Sequence, residues 1–452
     1  MAPVGINFGS ATSGAGFDVS STVSAIVANL KSVEAPWQNQ ITSLKAEDTA
    51  FTSIGSDLST LLTSLQALTD FQGVMASKLG SSSNTSILSL NSAGGTAVAG
   101  SHSIVVSRLA QTSSYYTDPI IAGDTLTGGL TVQIGNGAGT TIPVVVGQSD
   151  TIATFAAAIN AADIGVKASI ITDSQGSRVS LVSQTSGSSG QLTVTGTLTD
   201  ATTSAAVGLN HGPPGQNALL NVDGVDIDSA SNTVSTAIPG VTFQLLSANP
   251  TAIVQVQIAN DNGSVTSAFS SFVAAYNTVA KDLTTQEGGA QPLYGNPIVS
   301  QLQSALSLAL TSGVASGGIG NLAQLGISVN LDGTLTLNTA ALDSTLNANY
   351  SDVVGFLQNT GGFGQSLRST LDTLGNQSPT AALTLALAAN SAQEKGLNTT
   401  ITKQDTLIAT QQTSLTNELN AANQILQAIP QQLNEIDQLY NAITGYNPNS
   451  RG

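Results

Sequence analysis

LNAANQILQAIPQQLNEIDQLYNAI, residues 419–443, repeats its apolar residues in alternating steps of three and four. These apolar positions are Leu419, Ala422, Leu426, Ile429, Leu433, Ile436, Tyr440 and Ile443. Such heptad spacing predicts a helix with one apolar stripe that packs on another helix. The phase is the same before and after Pro430, so we expect the helix to bend there and continue against the same partner. The pattern extends back to Ile401, which predicts a helix of roughly 65 Å.

A second heptad pattern follows the N-terminus, where Asp18 is placed to cap a helix that begins near Val19. Apolar residues recur every seven positions from Val23 to Leu65, and Pro36 is expected to kink or break this helix at Ala35. Neither terminal stripe can be buried by its own helix, so each needs a partner, either the other terminus or copies of the same chain. The predicted interface residues are Val23, Ile26, Leu30, Val33, Trp37, Leu415, Leu419, Leu426, Ile429, Leu433, Ile436, Tyr440 and Ile443.

The composition limits which partners the chain can have. Only 8% of the residues are charged, and the formal net charge is −16. Such a chain repels phosphate backbones and anionic lipid head groups, so we expect neither nucleic acid binding nor membrane insertion. The chain has no cysteine, which excludes disulfides and thiolate chemistry. Its first residues lack the basic start and apolar core of a cleaved signal peptide.

Between the terminal patterns the apolar period changes from 3.5 to 2. Short alternating runs such as 103–112, 130–134, 166–172 and 178–183 predict strands, and 151–162 predicts a helix among them. Helical periodicity returns over 264–283, 296–313, 340–357 and 364–375. A hairpin is predicted over 326–338, with a loop of odd length because its apolar residues must share one face.

We therefore predict an α+β multidomain chain: terminal heptad-repeat helices form a coiled-coil leg, and antiparallel β head domains, sandwich or barrel-like, are inserted between them. The predicted parts are a leg that is flexible when free, a helical bundle with the 326–338 hairpin, an inner β head and an outer β head. In the same order their residues are 1–37 with 411–452, 38–71 with 263–410, 72–112 with 213–262, and 113–212.

Three features that could carry chemistry favour structural interpretations. GNGAGT at 135–140 lacks the third glycine and the following helix of a dinucleotide loop, so a hairpin turn is favoured. DGVDID at 223–228 lacks the distant glutamate of a calcium loop, so a strand–turn–strand is favoured. His102 and His211, the only histidines, lie in different segments without further ligands nearby. We expect no enzymatic activity, no metal and no cofactor.

Several segments together resemble one family, the bacterial flagellar filament cap protein, or hook-associated protein 2, family. The resemblance is carried by GAGFDVSSTVSAIVANLKSVEAPWQNQ near the N-terminus, the strand GSHSIVVSRLAQTSSY, the flagellin- and hook-type repeat at 151–187, and the segments 217–246 and 322–346. These segments occur in the family's order and cover most of the chain. Pro430 and the tail GYNPNSRG depart from the pattern.

The resemblance implies a function in assembly. Family members cap the distal tip of the growing flagellar filament as a homo-oligomeric ring, for which five copies is the favoured number. They guide exported flagellin into place and prevent its loss to the medium. The implied partners are the chain itself, flagellin, hook–filament junction proteins and a flagellar export chaperone. The implied location is extracellular, after export by the flagellar type III apparatus without a cleaved signal peptide.

Two alternatives stay open at the level of sequence. A hook–filament junction protein or minor flagellin shares the terminal coiled-coil plan, but lacks the paired segments around VDGV and LGISVNLDGTL. A surface adhesin would bind host glycans or mucin through the β head. The low aromatic content, 4%, counts against a dedicated carbohydrate site.

Overall fold

The computed structural model describes residues 14–136, 140–144, 151–375 and 377–445 of the chain. Helices and antiparallel sheets are largely segregated along the chain, as the α+β prediction requires, with long helices near both ends and the sheets between them. The chain divides into two compact units, Met1–Gln66 with Phe269–Gly452, and Ala67–Ala268. We call the first the helical unit and the second the head. The predicted four-part division is finer than this and stays a prediction.

Eight α-helices lie within the described residues. They are α1 (Val19–Lys31), α2 (Ala35–Thr69), α3 (Ile152–Ala161), α4 (Asn262–Gln286), α5 (Pro297–Thr311), α6 (Thr339–Gln358), α7 (Phe363–Leu374) and α8 (Ala382–Thr444). A 3₁₀ turn at Ser32–Glu34 separates α1 from α2, so the predicted break lies directly before Ala35. Pro36 falls in the first turn of α2, where its missing N–H removes no helical hydrogen bond.

The longest helix, α8, has 63 residues and runs through Pro430 without interruption. It begins at Ala382, well before the Ile401 expected from the heptads, and its rise gives a length of about 95 Å. The aromatic core of the helical unit lies elsewhere, at Phe272, Phe356 and Phe363, each 1% exposed. Phe356 stacks on Phe363 with ring centroids 5.5 Å apart. The helical unit therefore has its own aromatic core, built from α4, α6 and α7.

Eighteen strands lie within the described residues. They are β1 (Lys78–Ser82), β2 (Leu88–Ala93), β3 (Gly100–Arg108), β4 (Thr112–Thr117), β5 (Leu126–Ile134), β6 (Thr140–Val144), β7 (Val166–Asp173), β8 (Gly176–Ser186), β9 (Leu192–Asp200), β10 (Ala206–Val207), β11 (Leu209–His211), β12 (Ala218–Val222), β13 (Val225–Ser229), β14 (Thr233–Val234), β15 (Val241–Leu245), β16 (Asn249–Asn260), β17 (Ile327–Val329) and β18 (Leu335–Leu337).

The head contains two separate apolar cores. The first is enclosed by a five-stranded sheet, β1-β16-β3-β12-β13, and a three-stranded sheet, β14-β15-β2, with Phe243 fully buried in it. The second lies between the sheets β10-β9-β5-β6 and β11-β4-β8-β7, and α3 adds Phe155 and Ile159 to it. We call these parts the inner head and the outer head. All pairings in both are antiparallel, as the sequence predicts.

The chain enters and leaves the outer head at a bridge of two glutamines. Gln111 N donates to Gln216 O at 2.8 Å, and Gln216 N donates to Gln111 O at 3.2 Å. The side chains repeat the link, because Gln216 Nε2 donates to Gln111 Oε1 at 2.7 Å. The two chain segments that join the outer head to the inner head are thus hydrogen-bonded to each other at Gln111 and Gln216.

Both short-range turn predictions that can be checked are confirmed. In the β17–β18 hairpin, Asn330 N donates to Thr334 O at 2.8 Å, which closes a three-residue loop with Gly333 at a φ of +78°. Residues 223–228 hold the turn and most of the second strand of the β12–β13 strand–turn–strand, in which Asp223 and Gly224 have φ values of +51° and +88°. Residues 135–140 connect the antiparallel pair β5 and β6, but 137–139 lie outside the described residues.

Candidate assembly interface

The N-terminal end of α1 is fixed by its predicted cap. Asp18 Oδ1 accepts a hydrogen bond from Ser21 N at 3.1 Å, which confirms Asp18 as the N-cap. Hydrogen bonds from Ser21 hold the pKa of the Asp18 carboxyl below its ordinary value. Val19 and Val23 follow on the buried face, with 8% and 4% exposure. The first turns of α1 therefore have a defined orientation and one closed apolar face.

Helix α1 packs against α8, and the two helices run antiparallel. Lys31 Nζ lies 2.8 Å from Asp405 Oδ1 at one end of the contact. Phe17 N, just before α1, donates to Asn423 Oδ1 at 2.8 Å. Lower residue numbers of the N-terminal segment thus meet higher numbers of α8. Each terminus buries part of the other's apolar stripe.

Two glycines bring the N-terminal segment close to α8. Gly14 and Gly16 have φ values of +66° and +67°, a left-handed conformation that costs glycine little. A Cβ on Gly14 would lie 3.1 Å from Pro430 Cγ, and one on Gly16 would overlap the side chain of Asn423. The described contact between the termini therefore reaches Pro430.

The N-terminal half of α8 is hydrogen-bonded to α2 through the buried side-chain amide of Asn390. Asn390 is 7% exposed, and its Nδ2 donates to Asp48 Oδ1 at 2.9 Å and to Glu47 Oε2 at 3.5 Å. Further along α8, Ile408 is 2% exposed. This part of the helix is held by both polar and apolar contacts.

The predicted interface residues fall into four groups by burial and position. Val23 is buried, whereas Ile26, Leu30, Trp37, Leu415, Leu419, Leu426 and Ile429 are half-buried. Val33, in the 3₁₀ turn rather than in a helix, is 36% exposed. The last group is the segment beyond Pro430: Leu433, Ile436, Tyr440 and Ile443 are 42%, 63%, 61% and 77% exposed. That all thirteen residues contribute to assembly stays a prediction.

We call Leu433, Ile436, Tyr440 and Ile443 the distal stripe. These residues share one face of the last turns of α8, and Leu439 beside them is 66% exposed. The helix ends in an ordered cap, because Gly445 has a φ of +66° and its N–H donates to Asn441 O at 3.0 Å. A regular, capped helix thus presents apolar side chains that no described residue covers. A second helix with matching spacing is the partner that this geometry fits.

The sequence reasoning missed the polar contacts that join the termini. The Lys31–Asp405 pair and the Phe17–Asn423 hydrogen bond each join residues far apart in the chain. One signal was present, because Asp405 interrupts an apolar row of the heptad pattern. A polar residue at such a position calls for a partner across the seam.

Two features of other kinds are absent from the described residues. Across residues 14–136, 140–144, 151–375 and 377–445, no group of three or more His, Asp or Glu side chains could hold a metal ion. Among the helices within these residues, none is both long and apolar enough to cross a membrane. His102 instead lies 2.6 Å from Asp223, through Nδ1 and Oδ2. His211 contacts Tyr115, 3.3 Å from Nε2 to the hydroxyl oxygen.

Comparison with known proteins identifies the family. Residues 215–444 match the family model for the C-terminus of flagellar hook-associated protein 2, and residues 15–113 match the model for its N-terminus. The chain is 29% identical over 369 residues to the B-type flagellar hook-associated protein 2 of Pseudomonas aeruginosa PAO1, covering 73% of this chain and 77% of that one. It is 28% identical over 397 residues to flagellar hook-associated protein 2 of Escherichia coli K12, covering 80% and 84%.

The fold agrees with a solved structure. The crystal structure of the D1-D2-D3 domains of the flagellar cap protein FliD from Escherichia coli superposes with a TM-score of 0.59 at 28% identity. The superposition covers 76% of this chain and 99% of that one. The C-terminal family model alone spans more than half of the chain. The chain therefore belongs to the flagellar hook-associated protein 2 family.

Proposed function

We propose that this chain caps the distal tip of the growing flagellar filament as a ring of identical copies and promotes the ordered insertion of exported flagellin. The family membership supports the capping role, because a similar solved structure is named a flagellar cap protein. Neither of the alternatives, a junction protein or an adhesin, gains support from these comparisons. Five copies is the number we favour, and a mechanical role without catalysis is what we expect.

The observation that carries the proposal is the distal stripe. Its four side chains are 42% to 77% exposed on an ordered helix. Fully burying one exposed large apolar side chain contributes about 1.5–3 kcal/mol, so covering the exposed parts of four neighbouring ones favours association. A stripe with heptad spacing selects a helical partner over a flat or polar surface. Terminal helices of flagellin or of neighbouring copies are the partners we propose.

The α1–α8 contact supports a leg that adapts to its neighbours. Lys31 and Asp405, which join the two helices, are 52% and 46% exposed in their side chains. Exposed ion pairs contribute little to stability, so this pair adds little resistance to a rearrangement of the two helices. We propose that α1 and α8 exchange part of their mutual packing for packing against filament subunits. The thirteen interface residues and the four-part division belong to this proposal.

Location and export follow from the same proposal. We place the protein outside the cell at the filament tip, exported by the flagellar type III apparatus without a cleaved signal peptide. A flagellar export chaperone and the hook–filament junction proteins are the further partners we expect. Because the chain has no cysteine, no disulfide can form that would hinder its passage through the export apparatus as an unfolded chain.

The test is to place two charges in the distal stripe. Ile436→Asp with Ile443→Asp should leave the chain folded, because both side chains are exposed in the free molecule. Insertion of a charge into a helix–helix seam blocks association, so cells with this variant should release unpolymerised flagellin and grow few or no filaments. Flagellin in the medium is measured by immunoblot, and filaments are counted by electron microscopy.

The matched control is Asn434→Asp with Gln438→Glu, which adds the same charge to exposed polar positions in the same turns. This variant should assemble normal filaments. Circular dichroism of both purified variants checks that helix content is unchanged. Normal filaments in cells carrying the Ile436 and Ile443 variant would overturn the proposal.

A further inference from the structure

The inner head and the outer head are joined by polar contacts, because their apolar cores are separate. Among the described residues, no side chain belongs to both cores. Two chain segments paired only at Gln111 and Gln216 would act as a hinge, since relative motion is the default for domains without a large apolar interface. The structure contains a further contact between the heads, which is made by residues 187–191, the turn between β8 and β9.

The side-chain amide of Asn217 joins this turn to the inner head. Asn217 lies just before β12, and its Oδ1 accepts from Ser188 N at 2.7 Å and from Ser188 Oγ at 3.2 Å. Its Nδ2 donates to Asp228 Oδ1 of β13. Because a backbone N–H cannot accept and a carboxylate cannot donate, only one orientation of the amide satisfies both partners. Asn217 therefore binds a residue of each head at the same time.

The two chain segments beside the glutamine bridge are also fixed to the inner head. On one segment, the carbonyl oxygen of Asn217 accepts from Arg108 Nε at 2.9 Å. On the other, the side chain of Asn232 pairs with both backbone groups of Ala110. Ala110 N donates to Asn232 Oδ1 at 2.7 Å, and Asn232 Nδ2 donates to Ala110 O at 2.9 Å. The inner head thus holds both segments up to the bridge, and any hinge would lie at the bridge itself.

Gly187 allows the turn to approach the inner head closely. It is buried, has a φ of +81°, and its N–H donates to Gln111 O at 3.0 Å. A Cβ at this position would lie 2.5 Å from Asn217 Oδ1 and 2.7 Å from Ala230 Cα. Ser186 Oγ, in the preceding residue, donates to Ala230 O at 2.7 Å. Any side chain at position 187 would push the two backbones apart, so the contact requires glycine there.

We propose that this contact is a latch that fixes the outer head on the inner head, so that the two heads move as one rigid body. The latch consists of Gly187 and Ser188 of the outer head with Asn217 and Asp228 of the inner head. Rotation about the glutamine bridge would break the hydrogen bonds of Asn217 and separate Gly187 from the inner head. A load on the outer head therefore passes to the inner head. The latch acts within one copy of the chain, so it does not depend on the proposed capping function.

The experiment measures the distance between the two heads in the full-length chain. Because the chain has no cysteine, two introduced cysteines carry spin labels at chosen positions only. Thr85→Cys labels the inner head and Ser174→Cys labels the outer head, both at exposed positions in turns. Double electron–electron resonance gives the distribution of distances between the labels at neutral pH. An excess of unlabelled chain keeps distances between copies out of the signal. A latched head gives one narrow distribution.

Three variants change the latch. Asn217→Asp keeps the size of the side chain but turns the donor to Asp228 into a second carboxylate, and the repulsion should broaden the distribution about 2-fold. Combining Asn217→Asp with Asp228→Asn exchanges the two groups, so that an amide at 228 donates to a carboxylate at 217 that still accepts from Ser188 N. This double variant has the original net charge and should restore the narrow distribution. Gly187→Ala adds a Cβ against Ala230 and should broaden the distribution without any change of charge.

The matched control is Asn221→Asp, the same substitution in β12. Asn221 Nδ2 donates to Asp226 Oδ1 at 2.8 Å, and both residues belong to the inner head, so the distribution should stay narrow. Circular dichroism checks that every variant is folded. The proposal is wrong if the original chain already gives a broad distribution, or if Asn217→Asp and Gly187→Ala both leave it narrow. Broadening that the exchange at 217 and 228 does not reverse, or that Asn221→Asp produces equally, would also overturn it.

Discussion

Phe243 in the inner head is fully buried, whereas Tyr440 near the end of α8 is 61% exposed. The head encloses its apolar side chains in two cores, each closed by pairs of antiparallel sheets. The terminal helices bury only the part of their stripe that faces the other terminus, and the distal stripe is left uncovered by the described residues. Apolar side chains are therefore distributed differently in the two regions: the head buries them within one chain, and α8 leaves part of them exposed, where the proposed assembly would cover them.

The largest change in stability is expected from a substitution in the closed core of the inner head. Phe243→Ala should lower the free energy of unfolding of the head by about 3–5 kcal/mol, because the large cavity cannot collapse between two sheets. Phe71→Ala removes the same atoms from a side chain in the head that is 73% exposed, and should change it by about 0.5 kcal/mol or less. Denaturant titration followed by circular dichroism measures both. Equal effects would show that the inner head is not the closed core described above.

An intermediate loss of stability is expected where Asn390 of α8 is hydrogen-bonded to α2. Asn390→Ala leaves Asp48 and Glu47 without their buried donor and should cost about 1–3 kcal/mol in the unfolding of the helical unit. Asn398→Ala, at an exposed position of the same helix, should be neutral or slightly stabilising because alanine favours helix. Urea titration of both variants gives the comparison. A smaller loss at Asn390 than at Asn398 would contradict the tie between α8 and α2.

The smallest effect is expected at the exposed link between the termini. Hydrogen bonding to Asp405 raises the pKa of Lys31, so its contribution is present below the unfolded value and is lost as pH rises through the higher folded value. Lys31→Met should lower the melting temperature less than Asn390→Ala does. The difference in melting temperature between Lys31→Met and the original chain should vanish in about 1 M salt, where the Debye length is about 3 Å. Lys403→Met is the matched control, and an equal loss there would show that the Lys31–Asp405 contact is irrelevant.

Local signals predicted much of the fold. Asp18 caps α1 as expected, and 340–357 and 364–375 differ from α6 and α7 by one residue at each end. The odd loop of the 326–338 hairpin followed from the face that its apolar residues share. These features are set by residues within a few positions of one another.

Other features depend on contacts that no local pattern contains. The run 103–112 looks like one strand, but β3 ends at Arg108 and β4 begins at Thr112 in a different sheet. The long strand β16 lies between β1 and β3, far from it in sequence. Helix α8 extends back to Ala382 because it packs on α5 and α7, although its heptad phase begins only near Ile401. Packing between distant segments decides such boundaries.

The candidate interface was predicted in outline only. Heptad spacing identified the two stripes, but not the contact that the residues just before α1 make with α8. That contact depends on Gly14 and Gly16, whose positive φ values bring the chain against Pro430 and Asn423. Glycine carries no side chain from which such a contact can be predicted.

The glutamine bridge between residues 111 and 216 makes the outer head an exchangeable module. Because its two ends leave the inner head as one hydrogen-bonded residue pair, a replacement needs only a fold whose own ends lie about 5 Å apart. Grafts of foreign sequence could be displayed there without a redesign of the inner core. For the same reason, the sequence of the outer head can change without a change in the inner core.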